Sequence, residues 1–180
     1  MNEQELEQLK YPIGRFKKPE AFTPKFMENA ISIIENFPEK LRKETENLSD
    51  EQLDKPYREN GWTIRQVVHH CADSHINSII RFKLALTEEK PTIKSYFEDR
   101  FAKLIDSKNF PIEASLQMLE GTHKRWVALL KSLSEEDLQK TFIHPEHNRE
   151  FTLQINIAIY AWHCEHHLAH ITSLKSRMGW

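Results

Sequence analysis

Apolar side chains recur every three or four residues along four long stretches of the chain, which is the spacing of one buried face of an α-helix. The second stretch is expected to run as a helix from Ile64 to about Leu86. A helix start signal precedes each stretch: Thr23-Pro24, the capping box of Thr63 with Gln66, Pro111, and Thr152. The pattern therefore predicts four long helices.

Pro38 lies inside the first apolar stripe, so this stretch is either one kinked helix or two helices. The link between the second and third helices, residues 91–107, is long and has room for one or two helical turns around residues 97–105. No stretch alternates as a strand does, and the segment His144-Pro145-Glu146-His147 is expected to be a loop. The predicted fold class is all-α, a four-helix bundle with a long connection between helices 2 and 3.

Composition agrees with a single helical globular domain spanning residues 1–180, because only four residues are glycine and 29% are charged. The net charge of -2 argues against a nucleic-acid partner or an acidic membrane surface. No segment approaches 18 uncharged apolar residues, and the acidic N-terminus does not resemble a signal peptide. We therefore expect a cytoplasmic protein with no membrane partner.

Histidines cluster in the last apolar stretch, where His163, His166, His167 and His170 account for four of the ten in the chain. His166 and His170 are an i, i+4 pair, and His163 falls within about 60° of them on a helix. A second cluster, His69-His70 with His75, lies in the second predicted helix. One histidine from that helix and two from the last would hold a transition metal ion, although His163, His69 and His167 are also candidate ligands. The alternative is that these imidazoles are exposed to solvent, or are hydrogen-bonded within the core, and bind no metal.

Other polar residues are candidates for a pocket beside this cluster. His70, Ser74, Asn77 and Arg81 form a stripe along one edge of the second helix, which indicates either pocket lining or the solvent boundary. His123 occupies a core position of the third helix, and it is either a buried hydrogen-bonded residue or a group that supports the site. The loop residue His144 either binds substrate or is merely exposed. Cys71 and Cys164 are expected to be small buried apolar residues.

Motifs spread over nearly the whole chain, in residues 11–14, 56–58, 61–75, 81–84, 163–170 and 177–180, resemble the YfiT proteins of the DinB superfamily. The resemblance implies a dimeric four-helix bundle with zinc or nickel on three histidines. Carried over by motif, the ligands are His70, directly before Cys71-Ala72-Asp73, and the final His166 and His170. The usual motif has leucine where this chain has Cys71.

Under this assignment His163 is the most credible substitute ligand, or a residue that orients the ligands. His69 and His167 are expected to point about 100° away from their neighbours and to stay out of the site.

Three neutral histidines leave a metal ion with an open position, which is typical of catalytic sites. The resemblance implies an enzyme that activates the thiol of bacillithiol as a metal-bound thiolate and transfers it to an electrophile. Arg81 and the loop around His144 are then expected to bind the acidic groups of that thiol. The first alternative is a hydrolase using a metal-bound hydroxide, although Glu165 faces away from His166 and no H-E-x-x-H motif exists. The second alternative is a non-catalytic binding module stabilised by its metal.

Overall fold

The computed structural model describes residues 2–146 and 148–180 of the chain. The helices and strands within these ranges are, in chain order, α1 (Glu3–Lys10), α2 (Pro24–Thr45), α3 (Asp50–Leu53), α4 (Ile64–Thr87), α5 (Glu98–Phe101), α6 (Ile105–Asn109), α7 (Glu113–Lys131), α8 (Glu135–Gln139), β1 (Thr141–His144), β2 (Arg149–Thr152) and α9 (Leu153–Met178).

The four long helices α2, α4, α7 and α9 form the predicted bundle. Helix α2 packs against α7 and α9, and α4 packs against the same two helices, so α2 and α4 lie diagonally opposite each other. Their apolar faces meet in one core, whose largest fully buried side chains include Ile34, Phe37, Leu41, Ile64, Leu119, Trp126, Ile157 and Ile171. The four-helix-bundle fold class is thus confirmed.

Three of the four predicted start signals form the expected hydrogen bonds. The fourth does not, because α7 begins at Glu113 with Ile112 as an N-cap that makes no side-chain bond, so Pro111 precedes the helix. The Thr63 hydroxyl accepts from the backbone N–H of Gln66 at 3.1 Å, and the Gln66 side chain accepts from the Thr63 N–H at 2.9 Å. The Thr152 hydroxyl caps α9 by accepting from the backbone N–H of Ile155 at 3.3 Å, without a reciprocal side-chain bond. Because these side chains satisfy N–H groups that have no partner within the helix, they determine where α4 and α9 begin.

Pro38 is buried inside α2, which continues through it as one helix from Pro24 to Thr45. The interpretation of this stretch as two helices is therefore wrong. The long connection between α4 and α7 contains two short helices, α5 and α6, in the region where one or two turns were predicted.

A small β-hairpin was not predicted. Strand β1 pairs with β2 in antiparallel register, with Phe142 opposite Phe151, and Phe142 is 1% exposed. His144 therefore ends a strand instead of lying in a loop, and His147 lies outside the described residues. Strands of four residues are too short to show the alternating pattern that identifies longer strands.

The hairpin also anchors the long connection between α4 and α7. The Ile93 N–H donates to the Ile143 carbonyl at 3.0 Å, and the Ile143 N–H donates to the Pro91 carbonyl at 2.9 Å. This docking places the start of the connection and the end of β1 beside the same part of α4. None of the described helices is long and apolar enough to cross a membrane.

Candidate metal centre

The histidine cluster lies where α4 and α9 face each other. Val67, Val68 and Cys71 on α4, and Ile157 and Cys164 on α9, are buried in the core and set the rotation of the two helices. His70 then faces the successive turns of α9 that carry histidines. The position of the cluster thus follows from the burial of the adjacent apolar faces.

His70, His163 and His167 come together as one group. Their candidate ligand nitrogens all lie within 4.8 Å of one another, and His70 Nε2 is 3.2 Å from His163 Nε2. The ring centres are 4.8 Å apart for His70 and His167, and 4.4 Å apart for His163 and His167. One residue of α4 and an i, i+4 pair of α9 therefore surround one point.

A second group consists of His166, His167 and His170, whose candidate ligand nitrogens also lie within 4.8 Å of one another. The His166 ring stacks on Trp162 at 4.4 Å. The His170 ring stacks on Tyr57 at 3.9 Å, and its Nε2 donates to the Lys10 carbonyl at 3.0 Å. His170 is thus directed towards the segments that precede α4, and the His166 ring lies 5.7 Å from Tyr11 of the same region.

The set predicted from the sequence, His70 with His166 and His170, is thus divided between these two groups. The expectation that His167 points out of the site is wrong, because His163 and His167 are themselves an i, i+4 pair on the face directed at His70. The two pairs of α9 differ in direction by only about 60°, so helical spacing alone could not choose between them. His69 does point away, as expected, and bonds to Ser115 Oγ at 2.7 Å and the Phe110 carbonyl at 3.1 Å.

Burial keeps the clustered imidazoles neutral. Desolvation lowers the pKa of His70 to about 4 and that of His166 to about 3. It also lowers the pKa of His163 and of His167 well below the ordinary value. Neutral imidazoles carry the nitrogen lone pairs that bind metal ions.

The group of His70, His163 and His167 fits a divalent transition metal ion. Two neutral ring nitrogens 3.2 Å apart can share one hydrogen bond at most. His167 Nδ1 is buried without a hydrogen-bond partner in the described ranges, as are the Nδ1 atoms of His166 and His170. Three imidazole nitrogens are a donor set that suits zinc and nickel. Among the residues 2–146 and 148–180, no hydrogen bond or ion pair joins a carboxylate to these three rings.

Two further histidines lie behind His163. His163 Nδ1 is 3.0 Å from His75 Nε2, and His75 Nδ1 is 2.6 Å from His123 Nε2. His123 Nδ1 is 2.6 Å from the Ile34 carbonyl oxygen. His123 is therefore a buried hydrogen-bonded residue that touches the site through His75, a residue the sequence analysis did not select.

A cavity of about 710 Å³ opens on the cluster. Of the predicted pocket residues, Ser74, Arg81 and His144 line it together with the histidines. Asn77 does not, because its amide donates to the Asp73 carbonyl of its own helix at 2.8 Å. The cavity is further lined by aromatic and charged side chains: Tyr57, Trp62, Tyr96, Tyr160, Trp162, Lys10, Arg58, Glu98, Asp99 and Glu146.

Sequence reasoning missed the aromatic lining. Tyr160 and Trp162 lie within three residues of His163 in the sequence, so their proximity was a usable signal, and Trp62 lies two turns before His69. Trp62 packs on the His70 ring at 4.6 Å, and the Tyr160 hydroxyl donates to the Ser74 carbonyl at 3.0 Å. Tyr96 carries no such signal, because it lies in the long connection and reaches the cavity only through the tertiary fold.

Neither cysteine takes part as a reactive thiol. Cys71 and Cys164 are free and buried, and burial raises the pKa of both thiols above the ordinary value. Both are therefore protonated core residues, as expected, and neither thiol competes as a nucleophile for the candidate metal site.

The family model described as the DinB superfamily matches residues 33–171. A protein of Bacillus cereus (strain ATCC 10987 / NRS 248), named "Putative metal-dependent hydrolase", is 54% identical over 175 residues, covering 97% of this chain and 100% of the relative. A protein of Bacillus anthracis (strain CDC 684 / NRRL 3495) has the same name, identity and coverage.

A solved structure is also similar over nearly the full chain. YfiT from Bacillus subtilis, described as "a probable metal-dependent hydrolase with an unusual four-helix bundle topology", has a TM-score of 0.93 and 47% sequence identity. The match covers 96% of this chain and 99% of that one.

Proposed function

This chain belongs to the DinB superfamily, and on that premise we propose that it is a metal-dependent enzyme holding one divalent ion on His70, His163 and His167. The observation that carries the proposal is the convergence of three neutral ring nitrogens within 4.8 Å at the wall of a cavity. Zinc is the proposed ion and nickel the alternative, because both accept three imidazole ligands.

The set His70, His166 and His170, implied by the motif resemblance, is the competing proposal. His170 Nε2 already donates to the Lys10 carbonyl, so only its Nδ1 remains to bind a metal. The rings of His166 and His170 lie 4.3 Å from each other and stack on Trp162 and Tyr57, whereas the Nε2 atom of His70 contacts that of His163. These contacts favour His163 and His167 as the partners of His70.

We propose that the reaction is transfer of a small cofactor thiol, bacillithiol, to an electrophilic substrate. A divalent ion bound at the three imidazoles supplies a Lewis acid that lowers the pKa of a thiol or a water on its open side. The cavity of about 710 Å³ is large enough for a small thiol together with its acceptor. Lys10, Arg58 and Arg81 line it and suit the acidic groups of such a thiol.

Arg81 supports the assignment of an anionic ligand most directly. Its Nε is buried and has no hydrogen-bond partner among the described residues. An unpaired buried donor of a charged group is costly, so a ligand oxygen at this position would stabilise the bound state. His144 lines the same cavity and is proposed to contact the same ligand.

Hydrolysis is the second candidate, favoured by the names of the relatives. A hydrolase normally places a general base beside the attacking water. Glu165 is exposed and belongs to a different surface depression, formed by α2, α9 and Ile13. Glu98, Asp99 and Glu146 line the cavity, but among the described residues no hydrogen bond or ion pair joins a carboxylate to the three rings, so thiol transfer ranks first. The homodimer, the cytoplasmic location and the single-domain organisation stay predictions.

The ligand set is tested with four single variants. Under the proposed set, His163→Gln and His167→Gln lose the stoichiometric zinc of the wild type, whereas His166→Gln and His170→Gln keep it. The measurement is metal content after dialysis, with zinc affinity determined by competition with a chromophoric chelator. The reverse result would establish the competing set, and the two pairs control each other because each lies at i, i+4 on the same helix.

The reaction class is tested with the zinc-loaded protein. With bacillithiol and a halogenated nitroarene, we expect a rate of conjugate formation clearly above the uncatalysed rate, which His163→Gln abolishes. The same protein without thiol is assayed with activated esters and amides. Turnover of an ester or amide, together with no acceleration of conjugation, would replace thiol transfer with hydrolysis.

Binding of the acidic thiol is tested at Arg81. Arg81→Gln is expected to raise the KM for bacillithiol about tenfold or more, since a hydrogen bond to a charged group contributes ~1.5–3 kcal/mol. The matched control is Lys83→Gln, which removes a cation of the same helix that does not line the cavity. An unchanged KM in Arg81→Gln would show that the thiol binds elsewhere.

Metal removal distinguishes an enzyme from a module stabilised by its metal. Because the bundle has an extensive apolar core of its own, chelation should abolish activity and leave the helical circular-dichroism signal intact. Loss of helicity on chelation at ambient temperature would favour the non-catalytic module instead.

A further inference from the structure

A row of hydrogen-bonded groups crosses the bundle behind the metal centre, and each of the four long helices contributes one member. The Ile34 carbonyl of α2 is 2.6 Å from His123 Nδ1 of α7, and His123 Nε2 is 2.6 Å from His75 Nδ1 of α4. His75 Nε2 is 3.0 Å from His163 Nδ1 of α9. His75 and His123 are buried and do not line the cavity, so they contact no substrate.

Pro38 explains why the row can end on a backbone carbonyl. In an α-helix the carbonyl of residue 34 accepts from the N–H of residue 38, and proline has no N–H. The Ile34 carbonyl is therefore left without its helical partner inside the core, where an unpaired polar group is costly. His123 Nδ1 supplies the missing donor from the neighbouring helix.

The carbonyl determines the direction of every hydrogen bond in the row. A carbonyl oxygen only accepts, so the His123 proton is on Nδ1 and its Nε2 carries a lone pair. That lone pair accepts from His75 Nδ1–H, which leaves His75 Nε2 to accept from His163 Nδ1–H. His163 Nε2 then carries the lone pair, and it is this atom that lies 3.2 Å from His70 Nε2. The opposite tautomer at any ring would bring two N–H groups or two lone pairs together.

We propose that His75 and His123 are positioning residues for His163. They are anchored on the Ile34 carbonyl that Pro38 leaves free, and they hold His163 in the tautomer and orientation that present its Nε2 to the metal. The inference rests on the proposed metal site at His163. A metal-ligating histidine generally donates its other N–H to a carboxylate, a carbonyl or water. Here the His163 N–H is linked to the Ile34 carbonyl through the hydrogen bonds of His75 and His123.

The tautomers can be read directly by NMR of imidazole nitrogens in the metal-free wild-type protein. We expect His123, His75 and His163 each to be protonated at Nδ1 and unprotonated at Nε2. An Nε2-protonated His163 in the folded wild-type protein would overturn the proposal. This measurement needs neither metal nor activity, so it stands even if the proposed function fails.

Metal affinity tests the consequence. His123→Phe removes the donor to Ile34 and the acceptor for His75, and is expected to weaken zinc binding about 10- to 100-fold. The matched control is His69→Phe, which removes a buried histidine of α4 that also bonds to a backbone carbonyl but lies outside the row. Equal zinc affinity in His123→Phe and wild type, both folded by circular dichroism, would refute the positioning role. If the proposed metal site itself is wrong, a different result is expected: the His163→Gln variant would still bind zinc.

The role of the proline is tested separately with Pro38→Ala. This variant restores an N–H that competes for the Ile34 carbonyl, so we expect the His123 Nδ1–H proton resonance to shift. The loss of zinc affinity should be smaller than in His123→Phe, because a carbonyl oxygen can accept two hydrogen bonds. An unchanged His123 resonance would show that the anchoring carbonyl does not depend on the proline.

Discussion

The hydrogen bonds among buried neutral imidazoles are the constraint on which this bundle depends. A polar group inside a core must be paired, and each histidine behind the site is paired with a group of another helix. The row from the Ile34 carbonyl to His163 therefore holds all four long helices in one register around the metal centre. A displacement of any helix would break one of these bonds and leave a buried polar group unpaired.

The apolar core and this polar row act on the same helices in different ways. Burial of the apolar faces brings α4 and α9 together, but hydrophobic contact is not directional and tolerates small rotations. Hydrogen bonds between rings are directional, so they select the rotation at which His163 Nε2 faces His70. The result is a cluster of imidazoles at the wall of a cavity that is lined with aromatic side chains and with both cationic and acidic ones.

The comparison of the two histidine pairs of α9 shows where sequence reasoning ends. His163 with His167 and His166 with His170 have the same spacing, and their directions differ by only about 60°. Choosing between them requires the absolute rotation of α9, which depends on contacts with other helices and with the segments around Lys10 and Tyr57. The hairpin was missed for a related reason, since strands of four residues are stabilised by docking on Pro91 and Ile93 more than by their own pattern.

The sequence by itself determined the four helices, their start points at Thr23, Thr63 and Thr152, the bundle class and the pairing of two histidine clusters, because hydrophobic period and capping are local properties of the chain. The tertiary structure alone decided which imidazoles of α9 face His70, which aromatic residues enclose the cavity, and that His75 and His123 stand behind the site. Those features depend on distances between residues that lie about a hundred positions apart. Only the packed bundle defines such distances.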